Sequence, residues 1–179
     1  AAIVMAELPL RDGLTRRTLL LALLGPVPRA TLALARSALV IAILGGASAA
    51  SVAFVALLAG ADGLRIGRES AAAFLAVWAY VGVWSAVHLL FKHGLALGLA
   101  VFILGDYQLA RVPLGLRNVA PSAHVQNVMG VIDVETLGLP IDVIAPHPAV
   151  SVAVLLILGA AGLALAAVAF TRRDLDELC

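Results

Sequence analysis

Charged side chains are scarce in this chain: Asp, Glu, Lys and Arg together make up 13% of its 179 residues. A soluble domain carries about 25% charged residues, so this sequence has too few to cover a globule in water. Hydrophobic residues fill the deficit at 63%, and the mean hydropathy is +1.07. This shortage of charge excludes an ordinary soluble globule and predicts an integral membrane protein.

Cysteine and clustered basic charge are also lacking. The one cysteine, Cys179, is the last residue, which excludes an internal disulfide and a thiolate metal cage. The net charge is only +1, and the chain has no basic block that could neutralise phosphates. This balance argues against a nucleic-acid partner.

Catalytic and cofactor motifs are missing as well. The four histidines are scattered, and none of them belongs to a His-Glu-x-x-His zinc pattern. No serine stands in a nucleophile elbow. No glycine-rich loop ends in Lys-Ser or Lys-Thr, so the chain cannot bind ATP in the P-loop manner by itself. The sequence therefore predicts no enzyme activity, no metal site and no cofactor bound by this chain.

Long uncharged runs are what the sequence has instead. Three of them, 37–60, 70–91 and 148–171, reach or exceed the roughly 20 residues that cross a bilayer core. A fourth, 94–110, is shorter and carries Asp106 near its end, where an interfacial position would keep the carboxylate out of the hydrocarbon. We therefore predict an all-α bundle of four transmembrane spans, with a transmembrane domain over 37–171.

The positions of Lys and Arg predict how this bundle is oriented. Eight of them precede 37–60, lie between 70–91 and 94–110, or follow 148–171, and four lie in the opposite loops. Positive residues favour the cytoplasmic side. Both termini are therefore predicted to be cytoplasmic in a multi-pass protein of the cell membrane, with 172–179 as the C-terminal tail.

Two segments outside the spans carry patterns of their own. The cytoplasmic segment 1–36 contains an amphipathic helix, in which leucines recur at helical spacing before Pro26 and Pro28 end it. Its first six residues, 1–6, are apolar and fit the end of a preceding span. The exterior segment 111–147 is long and partly apolar, which predicts short re-entrant or interfacial helices.

Two ionisable residues in the apolar runs are candidates for a transport path: His88 and Asp106. Intramembrane ionisable groups are functional candidates by default, although a neutral imidazole at His88 could simply bond within the bundle. Gly94 and Gly98 form a Gly-x-x-x-Gly step, which serves either packing inside one subunit or a seam between two subunits.

Three stretches follow one another in a characteristic order. The first runs from Arg16 to Arg29 through Thr-Leu, Leu-Leu and Pro-Val-Pro-Arg. The second, 90–130, has a short basic turn, a helix closed by an acid, and a proline-containing exterior part. The third, 169–175, ends in Arg-Arg-Asp-Leu. In order and spacing they resemble the membrane subunit of ABC-2-type transporters, the permease half of ATP-driven exporters.

The resemblance implies a permease subunit that moves substrate when a separate ABC ATPase subunit, carrying ATP and Mg²⁺, acts on its cytoplasmic coupling helix. It implies a homodimer or a pairing with a second permease. The implied coupling residues are Arg17, Thr18, Leu19, Pro26, Pro28 and Arg29. Members of that family have six spans, so the four predicted here correspond to the last four, with 1–6 ending the second. Two other functions stay open: a membrane accessory or structural protein, and a secondary carrier that uses His88 as a proton relay.

Overall fold

The computed structural model describes residues 27–91, 93–111, 115–131 and 146–172. Every regular element within those ranges is helical, which confirms the predicted all-α architecture there. The elements are α1 (Arg29–Leu58), α2 (Gly63–Leu90), α3 (Gly94–Ala100), a π-helical segment (Val101–Tyr107), a 3-10 turn (Gly115–Val119), α4 (Pro121–Met129) and α5 (Pro148–Arg172). The predicted amphipathic helix before Pro26 lies outside the described residues.

Three of the helices, α1, α2 and α5, are long and apolar enough to cross a membrane. They contain 30, 28 and 25 residues, and a rise of about 1.5 Å per residue takes each past a hydrocarbon core of about 30 Å. They contain nearly all of the predicted spans 37–60, 70–91 and 148–171. The rod formed by α3 and the π-helical segment, Gly94–Tyr107, is shorter, so the fourth span stays a prediction.

The first two long helices, α1 and α2, begin upstream of the uncharged runs that predicted them. α1 starts at Arg29 with Pro28 at its N-cap position, because proline cannot continue the helix upstream. α2 starts after Asp62, whose carboxylate accepts a hydrogen bond from the Arg65 backbone N–H at 2.7 Å. Gly60 has a φ of 72° in the turn between the two helices, a conformation that favours glycine. These local signals, and not hydrophobicity, determine where the helices begin.

α2 is the central helix, with α1, α4 and α5 packed around it. Its contact with α5 is unusually close, because Gly82 faces Gly159 and Gly162 with backbone against backbone. Beside this contact the Trp78 indole N–H donates to the carbonyl of Leu156 in α5 at 3.1 Å. Small residues that allow close helix approach are a common basis of packing in membrane bundles. By contrast, α1 buries only a small part of its surface in the described bundle.

Candidate polar site inside the helix bundle

Asp106 lies inside the bundle with 6% of its surface exposed, and its carboxylate accepts hydrogen bonds from two residues. The hydroxyl of Tyr80 in α2 donates to one carboxylate oxygen. The backbone N–H and the hydroxyl of Ser122, in the first turn of α4, both donate to the other oxygen at 2.9 Å. One carboxylate therefore joins the π-helical segment, α2 and α4. We call these three residues the Asp106 cluster.

The Asp106 cluster lies deep in the apolar part of the bundle. Tyr80 follows Ser70 by ten residues and precedes Leu90 by ten, so it is at the middle of the uncharged part of α2. The interfacial position predicted for Asp106 stays a prediction, whereas within the protein its carboxylate is shielded from water. An isolated carboxylate at the middle of a bilayer costs about 2.5–3.5 kcal/mol. Three donated hydrogen bonds, each worth about 1.5–3 kcal/mol to a charged acceptor, offset that cost.

Local structure explains how the carboxylate reaches its donors. A π-helical turn is wider than an α-helical one, and such turns are found frequently at functional sites. It carries both Asp106 and Phe102, whose ring meets the edge of the Tyr80 ring at a centroid distance of 5.9 Å. On the other side, Pro121 occupies the first position of α4 and has no N–H, so Ser122 provides the first free backbone donor. The positive end of the α4 dipole also faces the carboxylate.

A second polar network fastens the opposite face of α4 to the start of α5. The side-chain amide of Asn127 donates to the carbonyl of Pro146 at 2.6 Å and to the hydroxyl of Ser151 at 2.8 Å. The His124 ring contacts the same hydroxyl through Nδ1 at 3.0 Å and the carbonyl of Asn118 through Nε2 at 2.8 Å. Because a carbonyl only accepts, the network assigns the ring hydrogen to Nε2 and leaves Nδ1 to accept from Ser151. In this tautomer the His124 ring bonds both of its neighbours.

His88, the other predicted path residue, is buried in α2 but is not part of the Asp106 cluster. It follows Tyr80 by eight residues, which is about 12 Å along a helix. Gly94 packs directly against it, since a Cβ there would lie 2.6 Å from the His88 Cα. Gly98 is buried one turn later in α3. Gly94 thus contacts α2 of the same chain, and the role of the glycine step in a seam between subunits stays a prediction.

The predicted coupling residues fall at the edge of the described chain. Pro28 and Arg29 form the exposed start of α1. Arg17, Thr18, Leu19 and Pro26 lie outside the described residues.

Sequence reasoning missed most members of the two networks. Tyr80 belongs to no sequence motif, although a tyrosine at mid-span, away from the aromatic belts of a membrane protein, needs a partner for its hydroxyl. Ser122 follows a proline that starts a helix, which is a recognisable N-terminal pattern. His124, Asn127 and Ser151 had no sequence signal that linked them.

Across the ranges that the structure describes, no group of three or more His, Cys, Asp or Glu side chains could hold a metal ion. Comparison of the chain with known protein families, with curated proteins and with solved structures finds no match. The function must therefore be inferred from the chain's own residues.

Proposed function

We propose that this chain is the permease subunit of an ATP-driven exporter in the cell membrane, energised by a separate ABC ATPase subunit. The observation that carries the proposal is the Asp106 carboxylate, buried at mid-bundle between a long helix and two short ones. Ionisable groups at this depth are expensive in a bilayer and mark substrate or ion pathways. The order of sequence motifs from Arg16 to Leu175 supports an exporter permease in particular.

In this proposal the fourth span is a broken helix. The rod Gly94–Tyr107 starts beside His88 near one end of α2 and reaches Tyr80 through Asp106. α4 begins there with Pro121 and Ser122 and ends at Met129. The next residue, Gly130, lies against the guanidinium of Arg68 near the other end of α2. Transporters use broken helices of this kind where helix ends face a substrate site at mid-membrane. The break explains why 94–110 alone is too short to cross the hydrocarbon core.

A route for the coupling runs along α1. Arg29 begins this helix directly after Pro28, at the predicted cytoplasmic side. Farther along, Ile41 of α1 packs in one apolar cluster with Val77 and Val81 of α2, the residues that flank Tyr80. A displacement of the start of α1 by the ATPase would therefore reach the helix that holds the Asp106 cluster. Rigid-body movement of packed helices is a common way to transmit such a change. The working assembly would contain two permease subunits, identical or paired with a second type.

The coupling prediction is tested with Arg29→Glu. The full chain, tagged and purified from its native membranes, should retain an ATPase subunit that has a Gly-x-x-x-x-Gly-Lys-Ser/Thr loop. Reversal of charge at a subunit interface should lower that retention about tenfold, which corresponds to about 1.4 kcal/mol. Arg172→Glu is the matched control, because Arg172 is exposed at the same predicted side, at the end of α5.

Three results would contradict this function. If Arg29→Glu and Arg172→Glu lose the ATPase to the same extent, Arg29 has no specific part in binding it. Transport that continues without any ATPase and stops in His88→Ala would indicate a secondary carrier. A chain that never binds an ATPase and moves no substrate would be an accessory protein.

A further inference from the structure

A groove of about 300 Å³ lies between the end of α1 and the start of α2, and no residue of the Asp106 cluster lines it. Its wall is mostly apolar and comes from the last turns of α1 and the residue that follows them: Ser51, Val52, Val55, Ala56 and Ala59. Two charged residues of α2, Arg65 and Glu69, complete the lining. The groove thus combines a mostly apolar surface with one positive and one negative side chain.

The two charges are paired with each other but keep bonding capacity. Arg65 Nε donates to Glu69 Oε1 at 2.6 Å. Within the described ranges, the terminal guanidinium nitrogens of Arg65 and the second carboxylate oxygen of Glu69 make no hydrogen bond. The Arg65 side chain is 59% exposed and that of Glu69 16%. The pair therefore presents a fork of N–H donors next to a carboxylate acceptor, which suits a ligand with adjacent negative and positive groups.

The position of the groove along the helices indicates a lipid. Glu69 directly precedes the uncharged run that starts at Ser70, so the Arg65–Glu69 pair lies at the boundary between hydrocarbon and headgroups. The wall from Val52 to Ala59 extends about 10 Å along α1 at 1.5 Å per residue. A molecule in the groove would therefore have its charged part at headgroup level and its apolar part at acyl-chain level.

We propose that this groove binds an ethanolamine phospholipid, whose headgroup carries a phosphate and a primary ammonium. The Arg65 fork binds the phosphate, since guanidinium groups match phosphate oxygens geometrically. Glu69 accepts a hydrogen bond from the ammonium, which a choline headgroup cannot donate. An acyl chain lies along the α1 wall. An anionic headgroup fits less well, because Glu69 repels it.

The test measures lipid binding to the delipidated full chain in neutral detergent by native mass spectrometry. Phosphatidylethanolamine, phosphatidylcholine and phosphatidylglycerol with the same acyl chains are added in turn. The wild-type protein should bind one phosphatidylethanolamine about tenfold more tightly than either other lipid, a difference that one charge-assisted hydrogen bond can supply. Arg65→Gln should weaken all three lipids. Glu69→Gln should reverse the preference toward phosphatidylglycerol, because it removes the negative charge that attracts the ammonium and repels an anionic headgroup, and leaves only a neutral amide acceptor.

Arg68→Gln is the matched control, because Arg68 belongs to the same turn region of α2 but faces Gly130 and not the groove. It should leave the preference unchanged. Ala59→Trp, which narrows the groove without altering its charges, should lower binding of phosphatidylethanolamine. Equal affinity for the three lipids overturns the proposal. An Arg68→Gln effect as large as that of Arg65→Gln also overturns it. The proposal fails as well if neither the wild-type protein nor Ala59→Trp binds any lipid.

Discussion

Gly162→Ala is expected to destabilise the bundle by about 3 kcal/mol, at the upper end of the range for overpacking a close-fitting interior. A Cβ at Gly162 would lie within 3.0 Å of backbone atoms of Gly82 and Val83. A flexible side chain could move aside, but a helix backbone cannot, so α2 and α5 would have to separate. Separation would also stretch the bond from the Trp78 indole to the Leu156 carbonyl, now 3.1 Å. The measurement is the free energy of unfolding in mixed micelles.

Gly46→Ala provides the matched control for this prediction. Gly46 also lies inside a long apolar helix, but a Cβ there would meet no atom within 4 Å. Its substitution should be neutral or stabilising by about 0.4–1 kcal/mol, since alanine restricts the unfolded chain. The Gly82→Ala and Gly162→Ala effects should be non-additive, because the two residues touch. Equal unfolding free energies for Gly46→Ala and Gly162→Ala would show that this close contact does not hold α2 and α5 together.

The long helices could be predicted from the sequence because their signal is local. An uncharged run of more than 20 residues is a property of consecutive positions, so 37–60, 70–91 and 148–171 needed no knowledge of tertiary contacts. Their starts could not be read in the same way. Residues 29–36 and 63–69 are helical although they carry charges, because Pro28 and the capping residue Asp62 determine where α1 and α2 begin.

Of the three residues in the Asp106 cluster, the sequence indicated only Asp106. An aspartate in an apolar run attracts attention by itself. Its partners do not, because Tyr80 is 26 residues away in the chain and Ser122 is 16 away. Only the packing of α4 against α2 brings them to one carboxylate. The interfacial position predicted for Asp106 assumed that water would solvate it, whereas protein donors take the place of water.

The glycine contacts, too, could not be predicted from the sequence of one helix. Gly94 and Gly98 are recognisable as a step of small residues, whereas Gly82 has no other glycine within four positions and belongs to no Gly-x-x-x-Gly step. The closest backbone approach nevertheless occurs at Gly82, because its partners Gly159 and Gly162 come from α5. A sequence motif describes the residues of one helix only. A close helix contact depends on which residues of two helices lie at the same level along their axes.

Asp106→Ala is expected to cost about 3 kcal/mol or more of unfolding free energy, because the groups that now donate to the carboxylate would be left buried without an acceptor. The affected donors are the Tyr80 hydroxyl and the N–H and hydroxyl of Ser122. Tyr80→Phe alone should cost about 1.5–3 kcal/mol, the value of one hydrogen bond to a charged group. The double variant should cost at least about 1 kcal/mol less than the sum of the two, since both remove the same bond.

Tyr107→Phe is the matched control for the Asp106 cluster. Tyr107 directly follows Asp106 but is 43% exposed, and its ring lies 4.1 Å from the guanidinium carbon of Arg111. Phenylalanine keeps a ring that can face this cation, so the unfolding free energy should change by less than about 0.5 kcal/mol. Additive effects of Asp106→Ala and Tyr80→Phe would contradict a direct bond between them.

If the bond is confirmed, Asp106→Asn tests whether the charge of Asp106 is needed for export, because asparagine keeps an oxygen that accepts from Ser122 but carries no charge. Loss of export in a folded Asp106→Asn protein would place the charge in the mechanism, and unchanged export would restrict Asp106 to holding α4 against α2.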